Sequence, residues 1–491
     1  MTRHAPHDPT QDAPAPHDTA PDDTAPHNPT PTDDATAVAA SPAAVTRIRD
    51  AGSEPLPRSS FAAVCLMLAV FALAAGTLIG IGTLIVLRLS HMMQDGLWEG
   101  LRDRLPEPAR MLSPLALCLV GGLLIGAITR RAGYSLDTLS QVVAISRRDG
   151  DYRLRSVGWS LLLFLAPITF GGAVGPEAGV AGFVTAGAYA ASRALRRSGV
   201  AAATTGGNAL HAALRGFIRL DSHIAASHPT APPDLRHYRY ARIPTLILRA
   251  IACCGFVLGI RWTAGWFGNA TPMPRLEAVA YSRDTWRDWA YALAALGAGY
   301  LLSLLMQAST LLTRRLMARL GGHAVGKALL AGAALGSMGI ALPDVLFSGQ
   351  VQTTALMADW RARGWATLLA VCVAKIIMTT LCVAGGWIGG EFFPQIFCGI
   401  AAGYALALVS GCDPALLTAT VTAAFIGGCT RKPLLTAIVL ALCFPPASVP
   451  VVLAAAFAGA ALPSPFAPAR RAGRRRDGRD GRQRARVPSH C

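Results

Sequence analysis

Two glutamates stand in glycine-rich interruptions of otherwise apolar sequence. Glu177 lies in GGAVGPEAG (171–179), and Glu391 lies in GGWIGGEFFP (385–394). Glycine lets a backbone turn sharply and leaves its N–H groups accessible. A helix that starts at such a turn directs unpaired N–H donors and the positive end of its dipole at one place. Small anions bind where such donors replace water, so both interruptions are predicted to be anion sites.

The sequence around these interruptions has the composition of a membrane protein. Of the 491 residues, 52% are apolar and 15% are charged, whereas about 25% are charged in soluble domains. Apolar runs such as 61–87 and 366–390 exceed the roughly 20 residues that span a bilayer as a helix. Only helices and closed barrels satisfy the backbone within lipid. The predicted fold class is therefore an all-α polytopic membrane protein.

In a membrane interior an ionisable residue marks an ion path by default, so Glu177 is predicted to be a gate. Its carboxylate would occupy the place of the anion until it is protonated or displaced. The alternative is that Glu177 only caps the following helix, and Glu391 is equally well explained as a residue at a water-filled mouth. Pro176 and Pro394 have no N–H. The amides predicted to bind the anion are those of Gly175, Ala178, Gly179, Gly390, Glu391, Phe392 and Phe393.

Composition divides the chain into five parts. Residues 1–59 repeat Ala-Pro-His-Asp with variations and predict a disordered tail. Two membrane halves, 60–220 and 243–463, flank a polar connection at 221–242, and an arginine-rich tail occupies 464–491. Each half contains one interruption, and paired interruptions of this kind indicate a transporter binding site between discontinuous helices.

The distribution of arginine predicts the orientation. Residues 91–110 carry more acidic than basic side chains and are expected outside the cell. The next connection is basic, which places it and both chain ends in the cytoplasm of a cell-membrane protein. For the nine arginines after Pro463, attachment to anionic lipid is favoured over nucleic-acid binding. The arginines of the basic connection are Arg130, Arg131, Arg147, Arg148, Arg153 and Arg155.

Other chemistry finds little support in the sequence. The eleven cysteines include no CxxC pair, so no metal site is predicted. A phosphate-binding loop and a nucleophile arrangement are missing as well, so neither an enzyme nor a cofactor is expected. Lys327 and Lys375 lie in apolar runs; attraction of anions and extension to an interface explain them equally well.

Three motifs carry a resemblance to a known family. Residues 389–394 (GGEFFP) fit a GxFxP element, and 430–440 (TRKPLLTAIVL) look like a late helix with an R-x-P-L-T pattern. GPEAG is similar to a G-[K/R]-E-G-P gating loop, in the GPE form of divergent bacterial relatives. Over 60–463 the chain thus resembles the CLC family of chloride channels and proton/chloride antiporters. The resemblance implies an inverted repeat of discontinuous helices, a homodimer, Glu177 as the gating glutamate, and the amides of Glu391 and Phe392 as anion ligands.

The sequence also departs from the family. An early GSGIP loop corresponds best to 133–137 (GYSLD), where Tyr134 replaces the anion-binding serine unless a one-residue slip brings in Ser135. No tyrosine follows Tyr404, and the helix at 207–220 has no carboxylate before Asp221 for an inner proton site. These departures favour a passive channel for chloride or a similar anion over proton-coupled exchange. A non-transporting membrane scaffold or sensor that keeps the fold is the alternative.

Overall fold

The computed structural model describes residues 58–100, 102–204, 211, 214, 245–266 and 286–466. The tail at 1–57, the connection at 221–242 and the tail from residue 467 onward lie outside the described residues. The helix expected at 207–220 also lies outside them, except for His211 and Leu214.

The regular structure of the described residues is α-helical. Its helices, numbered here along the chain, are α1 (Arg58–Trp98), α2 (Glu107–Ala132), α3 (Leu139–Asp149), α4 (Val157–Thr169), α5 (Glu177–Thr204), α6 (Thr245–Trp266), α7 (Trp286–Ala318), α8 (Ala324–Ala341), α9 (Gln350–Arg363), α10 (Trp365–Ala384), α11 (Phe392–Ser410), α12 (Pro414–Thr430), α13 (Pro433–Leu440) and α14 (Val449–Ala461). Short 3₁₀ turns lie at Arg102–Arg104, Pro343–Val345 and Pro446–Ser448.

Seven of these helices are long and apolar enough to cross a membrane: α1, α2, α6, α7, α8, α10 and α11. Helices α4 and α12 are also apolar but shorter. The all-α polytopic prediction is therefore confirmed.

Helix α1 of the first half packs directly against α6 of the second half through glycines. A methyl group on Gly76 would lie 2.0 Å from the carbonyl oxygen of Ala252, and one on Gly80 would lie 2.3 Å from that of Phe256. Gly259 on α6 packs equally closely against α1, since a methyl group on Gly259 would lie 2.3 Å from the carbonyl oxygen of Thr77. Small residues at such crossings let helix backbones touch within a membrane.

Helices α2 and α8 run antiparallel in a similarly close contact. A methyl group on Gly122 would lie 2.6 Å from the carbonyl oxygen of Ala328, and one on Gly336 would lie 2.6 Å from the Cα of Leu115. The N-terminal half of α8 therefore lies beside the C-terminal half of α2.

Helix α2 also shows how deep the two breaks lie. Between α4 and α5, and again between α10 and α11, the helix stops for seven residues, at 170–176 and 385–391. Phe170 and Trp387, one from each break, both face Gly121: a methyl group there would lie 2.4 Å from Phe170 and 2.9 Å from Trp387. At 1.5 Å per residue, Gly121 is roughly 21 Å and 16 Å from the two ends of α2. Both breaks therefore lie near the middle of a membrane span.

Candidate anion site between two helix N-termini

The two breaks are joined to each other by a pair of backbone hydrogen bonds. The N–H of Gly175 donates to the carbonyl of Gly390 at 2.7 Å, and the N–H of Gly390 donates to the carbonyl of Gly175 at 2.6 Å. This exchange forms an isolated antiparallel bridge. It brings the first turns of α5 and α11 together, so the positive ends of two helix dipoles meet at one point.

The carboxylate of Glu177 lies at this meeting point. Its Oε1 accepts a hydrogen bond from the N–H of Phe393 at 2.7 Å. The backbone amides of Phe392 and of Glu177 itself also face the carboxyl group. The first residue of α5 thus reaches across the break to the first turn of α11, and not only to its own helix.

The other carboxylate oxygen fits between the two bridge glycines. Oε2 of Glu177 is buried and has no hydrogen-bond partner. A methyl group on Gly175 or on Gly390 would lie 1.9 Å from this oxygen, and any side chain at either position would fill its space. Neither glycine has a positive φ, so close approach explains the residue type here rather than backbone conformation.

For Gly175 and Gly390 the structure corrects the expected role. Their amides were predicted to donate to the anion, but each donates to the carbonyl of the other. In this conformation they shape the site and are not available as ligands. Of the other predicted donors on this side, the amides of Phe392 and Phe393, in the first turn of α11, face Glu177.

The other predicted residues of the two breaks are placed as follows. Ala178 is buried in the first turn of α5. Helical bonding begins only when Val180 donates to Pro176, so the amides of Ala178 and Gly179 precede the intrahelical pattern. The ring of Phe164 packs directly against Gly179, because a methyl group there would lie 1.9 Å from Cδ2 of Phe164. Glu391 is partly exposed and has Arg314 of α7 as its charged neighbour.

Two buried tryptophans hold the backbone of the breaks. The indole N–H of Trp98 donates to the carbonyl of Thr169 at 2.9 Å, and that of Trp387 donates to the carbonyl of Ala328 at 2.9 Å. Gly171 has φ +84°, and a methyl group there would lie 2.5 Å from Trp98. Sequence reasoning did not identify these supports; Trp387 stands between the glycines of the second break, which is a signal, whereas Trp98 lies far from either break in the chain.

Tyr134 and Ser135 lie away from Glu177. They line a cleft of about 650 Å³ at the C-terminal end of α2, and Glu177 is not among its lining residues. The hydroxyl of Tyr134 contacts the carbonyl of Ser156 and the hydroxyl of Ser160, each at 3.1 Å, in the first turn of α4. Ser160 precedes the end of α4 by nine residues, which is roughly 13 Å of helix. The structure thus places both residues in this cleft, beside the first turn of α4.

A polar network holds the walls of this cleft. Asp151 pairs with Arg153 at 3.0 Å and with Arg193 of α5. The hydroxyl of Tyr152 donates to Asp137 at 3.1 Å. Burial and the neighbouring Asp137 carboxylate raise the pKa of Tyr152, so its phenol stays a neutral donor. These contacts join the connection between α3 and α4 to α5 and to the connection between α2 and α3.

A second cavity, of about 700 Å³, opens at the N-terminal end of α2, where it is lined by Arg110 and Met111. Trp98, Leu346 and Phe347 form another part of its wall. The two cavities thus lie at opposite ends of one spanning helix, and the bridged breaks lie at a depth between them.

The comparisons with known proteins agree with this architecture. Residues 236–463 match the family model described as "Voltage gated chloride channel". A comparison with curated proteins gives no match.

Three solved structures share the fold, each at 16% sequence identity. A CLC-type fluoride/proton antiporter matches with a TM-score of 0.52, covering 84% of this chain and 98% of its own. A slow cyanobacterial Cl⁻/H⁺ antiporter matches with a TM-score of 0.55, covering 83% and 95%. A eukaryotic CLC transporter matches with a TM-score of 0.51, covering 82% and 74%. The chain is therefore an integral membrane protein that shares its fold with CLC-type transporters, and its second half matches the chloride-channel family model.

Proposed function

We propose that this protein carries chloride or a similar small anion across the membrane, with Glu177 as the gate of the pathway. The observation that supports it most directly is the 2.7 Å hydrogen bond from the N–H of Phe393 to Oε1 of Glu177. A carboxylate here is an anion already bound at two helix N-termini. A free anion would use the same donors once that carboxylate has left.

Gating then follows from competition for one set of donors. Ionised, the Glu177 carboxylate is held by backbone N–H groups and by the positive ends of two helix dipoles. Protonation removes the charge that both interactions depend on, so the side chain leaves and the anion takes its place. Flux is therefore expected to rise as the pH falls.

Passive conduction is favoured over proton-coupled exchange. An exchanger needs a second proton-carrying group that links the gate to the inner solution, and the sequence before Asp221 offers no carboxylate in the helix expected to hold it. The proton that opens Glu177 then enters and leaves on one side. Catalysis plays no part in this proposal.

The proposed assembly is a homodimer in the cell membrane, with one pathway in each subunit. Both chain ends face the cytoplasm, because the connection at 130–155, which follows the C-terminal end of α2, is rich in arginine, and Arg153 and Arg155 line the cleft there. A cysteine placed at Ser135 should then react with an impermeant thiol reagent only from the cytoplasmic side. In detergent, light scattering should give the mass of two chains.

Liposomes with a chloride gradient and a pH dye inside test the proposal. The expected result is chloride efflux that is not accompanied by uphill proton movement. Proton movement against its own gradient would establish exchange. Absence of flux under every gradient and voltage, by protein that is correctly folded, would instead favour the non-transporting scaffold.

A further inference from the structure

Lys375 is a fully buried lysine in the middle of a membrane span. Its side chain is 0% exposed, and it lies ten residues after the start of α10 and nine before its end. A charge at that depth is costly unless the protein replaces its hydration. The two explanations offered by the sequence, attraction of an anion and extension to an interface, are both wrong for this side chain.

The ammonium group is held by the carbonyl oxygens of four consecutive residues. Its three N–H groups share four acceptors, with Nζ 2.8 Å from the carbonyl oxygen of Asp344, 3.1 Å from that of Leu346, 3.2 Å from that of Phe347 and 3.3 Å from that of Val345. The ring of Phe397 covers it, with 4.8 Å from Nζ to the ring centroid.

Four carbonyl oxygens converging on one point resemble the site of a bare monovalent cation, whose hydration shell such oxygens replace. The carboxylate of Asp344 is engaged elsewhere, in an ion pair with Arg363. The backbone dipoles of 344–347 are therefore the groups in direct contact with the charge of Lys375, while the Asp344 carboxylate attracts it from a greater distance. The ammonium acts as a cation that is tethered to α10.

The turn that Lys375 holds is attached to the first break. The N–H of Phe347 donates to the carbonyl of Gly171 at 3.0 Å. Phe347 has φ +62°, a conformation that side-chain-bearing residues rarely adopt without support. Its ring packs edge-on against Trp98, with centroids 4.9 Å apart, and Trp98 in turn holds Thr169. Leu346 and Phe347 also form part of the wall of the cavity at the N-terminal end of α2.

We infer that residues 344–347 form a monovalent-cation site that the ammonium of Lys375 occupies, and that this makes Lys375 a positioning residue for the break that carries Glu177. The evidence for the cation site is the set of contacts that Nζ makes, and it does not depend on the proposed function. The effect on gating rests on the proposed function. Without a cation the four carbonyl dipoles repel one another, the turn opens, and Gly171 loses the N–H of Phe347.

Chemical rescue tests the cation site independently of transport. Lys375→Ala removes Cγ, Cδ, Cε and Nζ, which together correspond to n-propylammonium, so this amine should restore most of the lost Tm when it is present during purification. Tetramethylammonium and n-propanol, which lack N–H⁺ donors, should not. Lys375→Met fills the space without a charge, so its Tm should fall and should not respond to the amine. Lys327→Met, at a partly exposed lysine of α8, serves as the matched control and should stay close to the wild-type Tm.

Two results would overturn the cation site. One is a wild-type Tm for Lys375→Met. The other is that n-propylammonium does not restore Lys375→Ala. This result would count against the site whatever the stability of that variant without the amine. For the positioning role, chloride flux by Lys375→Met in liposomes should lose pH dependence, and an unchanged pH profile would contradict it. If the wild type shows no flux, the proposed function fails while the rescue of Tm still decides the cation site.

Discussion

Gly175 and Gly390 stand 215 positions apart in the chain, and they exchange backbone hydrogen bonds of 2.7 and 2.6 Å. Each comes from the break of a different membrane half, and together they enclose Oε2 of Glu177. The N–H of each glycine donates to the carbonyl of the other. The bridge therefore fixes how far apart the first turns of α5 and α11 lie. That separation lets the Glu177 carboxylate reach the amide of Phe393. The bridge therefore belongs to the proposed gate as much as Glu177 does.

Replacing either bridge glycine by alanine should disturb the gate without changing the charge. The methyl group of Gly175→Ala or Gly390→Ala would lie 1.9 Å from Oε2 of Glu177, so the carboxylate must leave its donors. Chloride flux from liposomes should rise at neutral pH and depend less on pH. Gly297→Ala on α7 is the control, since its methyl group meets nothing within 4 Å. A wild-type pH profile in both bridge variants would show that the carboxylate does not occupy this space during transport.

The contact between α1 and α6 should be sensitive to a single methyl group. Gly80→Ala places a carbon 2.3 Å from the carbonyl oxygen of Phe256, whereas Gly82→Ala on the same helix meets nothing within 4 Å. Overpacking of this kind costs about 1–3 kcal/mol, while alanine in an open helical position stabilises by roughly 0.5–1 kcal/mol relative to glycine. Unfolding in detergent should therefore show a lower stability for Gly80→Ala and a slightly higher stability for Gly82→Ala. Equal stability would argue against the close crossing of the two helices.

The hydroxyl of Tyr134 should contribute to stability but not to gating. It bonds to Ser156 and Ser160 at the start of α4, so Tyr134→Phe should cost about 0.5–1.5 kcal/mol. Chloride flux should keep its pH dependence in this variant, and also in Ser135→Ala, because both side chains line the cleft and not the break. A changed pH profile in either variant would mean that the cleft and the Glu177 site act together.

Sequence reasoning identified the features that depend on local chemistry. The span lengths, the two glycine breaks and the position of Glu177 follow from apolar runs, from backbone freedom and from the cost of a charge in lipid. The family match and the shared fold confirm the architecture that these features imply.

What the sequence missed depends on contacts between distant residues. The mutual pairing of Gly175 with Gly390 is invisible in either break alone, and their amides were therefore taken for anion donors. Tyr134 is expected near the gate when a motif is aligned to it, yet it lines a cleft whose lining residues do not include Glu177. Lys375 offered only an unexplained charge in an apolar run, since its four carbonyl partners lie some thirty residues away.

The central claim is that the Glu177 carboxylate blocks the anion pathway by occupying its donors. The most direct test is chloride efflux from liposomes as a function of pH for the wild type, Glu177→Gln and Glu177→Ala. Wild-type flux should rise as the pH falls, because protonation releases the carboxylate from the amide of Phe393. Both variants lack the charge, so each should conduct at every pH with little pH dependence. Flux by both variants that matches the wild type in size and pH dependence would contradict the gate.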